Sequence, residues 1–163
     1  MGKENKIWKF LTIWYIAVFS AILLSSGCSP DRVNPPVILC EDALDASVKS
    51  QILAIELNGK YSNGIPKGWY TVTGSGSMEP TLHGGDFIVI DKSIQLSSSQ
   101  LGHILTYFPD WKPVRENTVH RMVAWDKSGA IMEGDAEVAH TENRNRVNKG
   151  NYDGEVVKIY RAK

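Results

Sequence analysis

Ser77 stands in a run of thirteen residues, Gly74 to Asp86 (Gly-Ser-Gly-Ser-Met-Glu-Pro-Thr-Leu-His-Gly-Gly-Asp), and His120 follows it by 43 positions. A serine hydroxyl is a weak nucleophile at neutral pH. It needs a neighbouring base, and it needs donors for the oxyanion that forms on the attacked carbonyl. Glycines at 74 and 76 let the backbone bend tightly around Ser77. The amide of Ser77 and the hydroxyl of Ser75 are the nearest oxyanion donors, and Pro80 stiffens the exit from the turn. His120 is the candidate base. Lys112 and Lys127 are rivals for a Ser–Lys pair, but Lys112 precedes a proline in a loop-like stretch and Lys127 falls in a predicted hairpin turn. His83, His103 and His140 read as surface residues.

The spacing Ser75-x-Ser77-Met78-x-Pro80-Thr81-Leu82, a short gap, then Gly85-Asp86 resembles the first box of the signal peptidase I family and its wider clan of membrane-associated serine proteases. Val119-His120-Arg121-Met122-Val123 is similar to the second box, in the form that carries His where most bacterial members carry Lys. Gly134-Asp135 resembles the start of the third box. Further along, Arg144 matches that box and Glu142 replaces its Asp, while His140 and Asn143 depart from it. Gly154-Glu155-Val156-Val157 resembles the closing strand.

The resemblance implies that Ser77 is the nucleophile and His120 the general base. It implies an oxyanion hole made by Ser75 and Ser77, a substrate cleft beside Met78 and Pro80, and a structural salt bridge through Arg144. A histidine base needs its second ring nitrogen oriented by an acceptor. Asp135 is the first candidate for that acceptor and Glu142 the second.

Eighteen basic and eighteen acidic residues cancel, so no positive field recommends nucleic acid as a partner. Lys3, Lys6 and Lys9 precede an uncharged apolar run from Phe10 to Leu24, the pattern of a secretory signal. Ser25-Ser26-Gly27-Cys28 then resembles a lipoprotein cleavage site, with Cys28 as the lipidated residue. The alternatives are an uncleaved membrane anchor, for which the stretch from Phe10 to Gly27 is close to the minimum length, and complete release after cleavage. With lipidation or an anchor the basic start stays inside and the domain faces outward, on the periplasmic or extracellular side of a membrane. An outward-facing domain favours a Cys28–Cys40 disulfide, which lipidation at Cys28 excludes. No cysteine or histidine spacing marks a metal site, and no cofactor is expected.

These readings divide the chain into a signal or anchor (1–27), a linker (28–41) and a peptidase-like domain (42–163). Asp42 to Leu57 is the predicted helix, with Leu44, Val48, Ile52 and Ile55 on one apolar side, Leu53 and Leu57 adjacent, and Gly59 at its end. Short strands are predicted at 69–73, 87–91, 104–108, 118–125, 130–133 and 155–161, with a hairpin turn over Asp126–Gly129. The fold class is mainly β: a small coiled antiparallel domain of the signal-peptidase type, after one short helix. The expected function is a membrane-associated serine endopeptidase acting on extended peptide segments of exported precursor proteins. Two alternatives stay open: a self-cleaving protease like the SOS-repressor group, and a lipoprotein binding module with a degenerate site. Mass spectrometry of the membrane-bound protein separates the two N-terminal readings. A lipidated Cys28 start is the expected product of processing, and an intact Met1 or Gly2 start excludes it.

Overall fold

The computed structural model describes residues 30–61, 64–74, 76–110, 116–136 and 145–163. Cys28, Ser75, Glu142, Arg144 and the apolar N-terminal run lie outside the described residues, as does Lys112. The elements are β1 (Val37–Cys40), α1 (Ala43–Asn58), β2 (Trp69–Thr71), β3 (Phe87–Asp91), a 3-10 turn (Ser98–Gln100), β4 (Ile104–Tyr107), β5 (Thr118–Asp126), β6 (Gly129–Glu133), β7 (Asn145–Val147) and β8 (Tyr152–Ala162).

The strands form one curled, largely antiparallel half-barrel sheet in the order β2-β3-β8-β4-β5-β6-β7. Its spine is β8. One edge of β8 pairs with β3. The other is shared by β4, near Glu155, and by β1, which runs parallel over Ile159–Ala162. Asp126 pairs with Gly129 across the predicted hairpin turn.

Two strands were not predicted. β7 lies just after the segment aligned with the third box. β1 falls inside the expected linker, so the folded unit starts before the helix. The stretch before β1 is also docked: the Val33 amide donates to the Gly102 carbonyl at 3.1 Å. Gly102 has φ +85°, and an added Cβ would stand 2.0 Å from the Asp31 carbonyl oxygen.

α1 begins where the sequence predicts. The Asp42 side chain accepts from the Asp45 amide at 2.8 Å, and Gly59, at φ 75°, ends the helix. Its inward face, however, is only partly the expected one: Leu53 packs on the sheet and Ile55 is half-buried, but the rest is turned. Ala46, Ser50 and Ala54 are buried, while Leu44, Val48 and Ile52 are 73%, 47% and 53% exposed. The sheet explains this. Trp69 and Phe87 stack with ring centroids 5.6 Å apart in the layer under the helix. These rings fill the interface, so the helix contributes small side chains, and Trp69 Nε1 donates to Ser50 Oγ at 2.8 Å. Cys40 is buried in the same layer as a free thiol.

A second cluster, Met78, Leu82, Ile88, Ile90, Ile104, Val156 and Ile159, lies under the segment that carries Ser77. A third gathers Leu105, Tyr107, Met122, Met132 and Val147 beneath β4 to β7. For α1 the expected outcome is an inverted mutational pattern in urea denaturation. Ser50→Leu overpacks the contact and costs about 1–3 kcal/mol, whereas Leu44→Ser and Ile52→Ser stay within about 0.5 kcal/mol.

Candidate active site

Residues 72–86 form a loop closed at its base. The Val72 amide donates to the Asp86 carbonyl at 2.8 Å, and the Gly85 amide donates back to the Val72 carbonyl at 2.9 Å. Met78 and Leu82 point into the core as plugs, with 3% and 2% exposure. Gly76, at φ 69°, makes the turn before Ser77. Asp86, the last residue of the first box, is structural. It accepts from the His83 amide and takes both Nε and Nη2 of Arg161, at 2.8 and 2.6 Å, so the loop is tied to β8.

The loop carries Ser77 to His120 on β5, where Ser77 Oγ lies 3.4 Å from Nε2. Proton transfer needs about 2.6–3.2 Å, a distance that commonly tightens only when substrate is bound. On the other side of the ring, Nδ1 lies 2.9 Å from the Tyr107 hydroxyl and 3.5 Å from Nδ2 of Asn145. Both neighbours went unnoticed in the sequence. Tyr107 reaches His120 through the register of β4 on β5, and Asn145 through the folding of β7 against β6; neither carries a motif of its own.

Asp135 does not orient His120. Its carboxylate accepts from Arg121 Nε and Nη2 at 2.7 and 2.6 Å and from Thr81 Oγ1 at 2.6 Å, with Arg32 4.0 Å away. Strand geometry gives the reason. His120 and Arg121 are consecutive on β5 and project to opposite faces, so the acid that serves Arg121 stands on the wrong side for His120. Asp135 instead fastens the loop that carries Ser77, helped by the Ala136 amide donating to the Ser77 carbonyl at 3.1 Å. Burial would push the Asp135 carboxyl up. The hydrogen bonds from Arg121 and Thr81, with the charges of Arg121 and Arg32, outweigh that and hold it below the ordinary carboxylate range.

Ser77 and His120 open onto a cleft of about 700 Å³, between the β2–Gly74 segment on one side and Glu116 to Val119 on the other. Val72, Met78, Ile88 and Val119 make much of its lining apolar. Met78 touches this cleft from the core beneath it. Pro80 is exposed and is not part of the cleft wall. At one end Tyr70 and Asn117, both on the cleft, donate to Asp153, which also pairs with Lys92. Among the described residues, no group of three or more His, Cys, Asp or Glu is arranged to hold a metal ion. No helix among them is long and apolar enough to cross a membrane.

Compared with protein-family profiles and with curated proteins, the chain matches none.

The Asp135 pair has a measurable consequence. A depressed native pKa adds stability that is complete above the unfolded value, near pH 4, and is lost as pH falls through the native value. Asp135→Asn should remove that part of the acid sensitivity. At pH 7 it should cost about 3–5 kcal/mol, because Arg121 is left buried without its counter-charge. Denaturation of both proteins at pH 7 and pH 3 checks each expectation.

Proposed function

We propose that this chain is a membrane-associated serine endopeptidase of the signal-peptidase type, acting on extended segments of exported precursor proteins. One observation carries the reading. Two residues 43 apart in sequence, each in its own motif, come within 3.4 Å of each other, hydroxyl to imidazole, on the wall of one cleft. The cleft also suits a peptide. β2 is the terminal strand of the sheet, and Tyr70 to Gly74 line the cleft, so an extended segment has a strand edge to pair with. The apolar wall around Val72, Ile88 and Val119 favours small uncharged side chains next to the cut.

The chemistry is acyl transfer. Ser77 Oγ bonds to the scissile carbonyl carbon as its proton passes to His120 Nε2. The Ser77 amide and the Ser75 hydroxyl are assigned to the oxyanion through the resemblance. Collapse of the tetrahedral adduct breaks the C–N bond, and His120 returns its proton to the leaving amine. Water then attacks the acyl-enzyme as one of its protons passes to His120; the ester C–O bond breaks, His120 returns that proton to Ser77 Oγ, and the acid product ionises to the carboxylate. An N-terminal anchor or lipid would hold the cleft near tethered substrates and raise their effective concentration.

Ser77→Ala and His120→Ala should each lower cleavage by at least about 10³-fold. Comparing exported protein N-termini in cells carrying wild type or Ser77→Ala should reveal the substrates. Normal cleavage by either variant excludes the pair. The rate should fall as pH drops through the imidazole range, about 6–7. Activity confined to strongly alkaline pH would point to lysine instead.

A further inference from the structure

We propose that Tyr107 is the positioning residue of His120: its phenol oxygen accepts Nδ1–H and thereby leaves Nε2 facing Ser77 as a base. The inference rests on the serine-peptidase reading above. The hydroxyl lies 2.9 Å from Nδ1, and the two rings are tilted by 49° with centroids 6.1 Å apart. In the β4–β5 pairing Leu105 stands opposite His120 and Tyr107 opposite Thr118. Tyr107 is therefore the diagonal neighbour of His120 on one face of the sheet, within reach of a long side chain.

Tyr107 is fully buried in the cluster with Leu105, Met122 and Met132, so its ring is held by packing. Burial also pushes its phenol pKa up, and the group stays neutral wherever imidazole titrates. A neutral phenol either accepts an N–H or donates its O–H. Only the first arrangement makes His120 a base: Nδ1 carries the ring proton, and Nε2 keeps its lone pair toward Ser77. In the second, Nε2–H faces Ser77 and the pair is inert. Once the serine proton reaches Nε2, the imidazolium carries two N–H groups, and Tyr107 receives the one at Nδ1. Ser77 from the loop and the side-chain amide of Asn145 from β7 also reach the ring, and Glu116, Asn117 and Thr118 line the same cleft.

The test is Tyr107→Phe in the full chain, which keeps the ring and removes the hydroxyl. NMR titration of the His120 ring protons gives its pKa directly. Cleavage of an internally quenched peptide with alanine before the cut gives kcat, KM and their pH profiles. The His120 pKa should fall by about half to one unit, because the lost bond favours the charged ring. The acid limb of kcat should move with it, and kcat should drop about three- to tenfold at nearly constant KM. A merely structural role would lower stability and leave the His120 pKa in place, and that result overturns the proposal. A rise in pKa also overturns it, since it means that Tyr107 donates to Nδ1. Should the variant not fold, the ring ¹⁵N shifts of His120 in the wild type decide: Nδ1–H sustains the proposal and Nε2–H overturns it. The titration needs no substrate. The expected shift without peptide cleavage would therefore sink the peptidase reading alone, while cleavage without the shift would sink the role of Tyr107 alone.

Discussion

Arg121 places a full positive charge where the residue is only 2% exposed. A charge in such a position survives only if it is paired and all its donors are used. Here all five are. Two N–H groups go to Asp135, two to the carbonyls of Val33 and Gly102, and one to the side chain of Asn34. One guanidinium thus ties together β5, the segment before β1, the turn before β4 and the loop after β6. Through Thr81 and the Ala136 amide, the Asp135 loop reaches on to the segment that bears Ser77. The distance between Ser77 and His120 therefore depends on a clamp built on the opposite face of the strand from the imidazole.

The same division of labour runs through the other motif residues. Asp86 holds the loop from its far end through Arg161 of β8. Met78 and Leu82 hold it from below by burial. Of the motif positions described, Ser77 and His120 face each other on the cleft, while Met78, Leu82, Asp86, Arg121 and Asp135 make the frame that keeps them there. A serine on a Gly-rich turn would otherwise sample many conformations. Anchoring at both ends and through the middle removes that freedom.

The helix follows a different rule. Its period and both ends are readable from Asp42 to Gly59, but its inward face is not. Two apolar stripes share the helix, one of large residues and one of Ala and Ser. Side-chain size suggests that the large stripe is inside. The stacked Trp69 and Phe87 reverse this, because the volume between helix and sheet is already occupied. Only a close approach through Ala46, Ser50 and Ala54 fits.

Local chemistry written in consecutive residues was therefore legible in the sequence. This includes the shaped turn around Ser77, the His120 strand, the helix with its cap, most of the strands and the Asp126–Gly129 hairpin. The apolar, uncharged character of Phe10 to Leu24 belongs with them. Beyond the pairing of Ser77 with His120, what the sequence left open was which side chain faces which. Tyr107 rather than Asp135 stands at Nδ1 of His120 because alternation along β5 sends neighbours to opposite faces and the β4–β5 register sets the diagonal. β1 escaped notice because a four-residue strand gains its identity only from its parallel partner on β8, more than a hundred residues away. Spacing along a chain encodes periods and turns. Facing is decided by register and by the space that neighbours have already filled, and these exist only once the chain has folded.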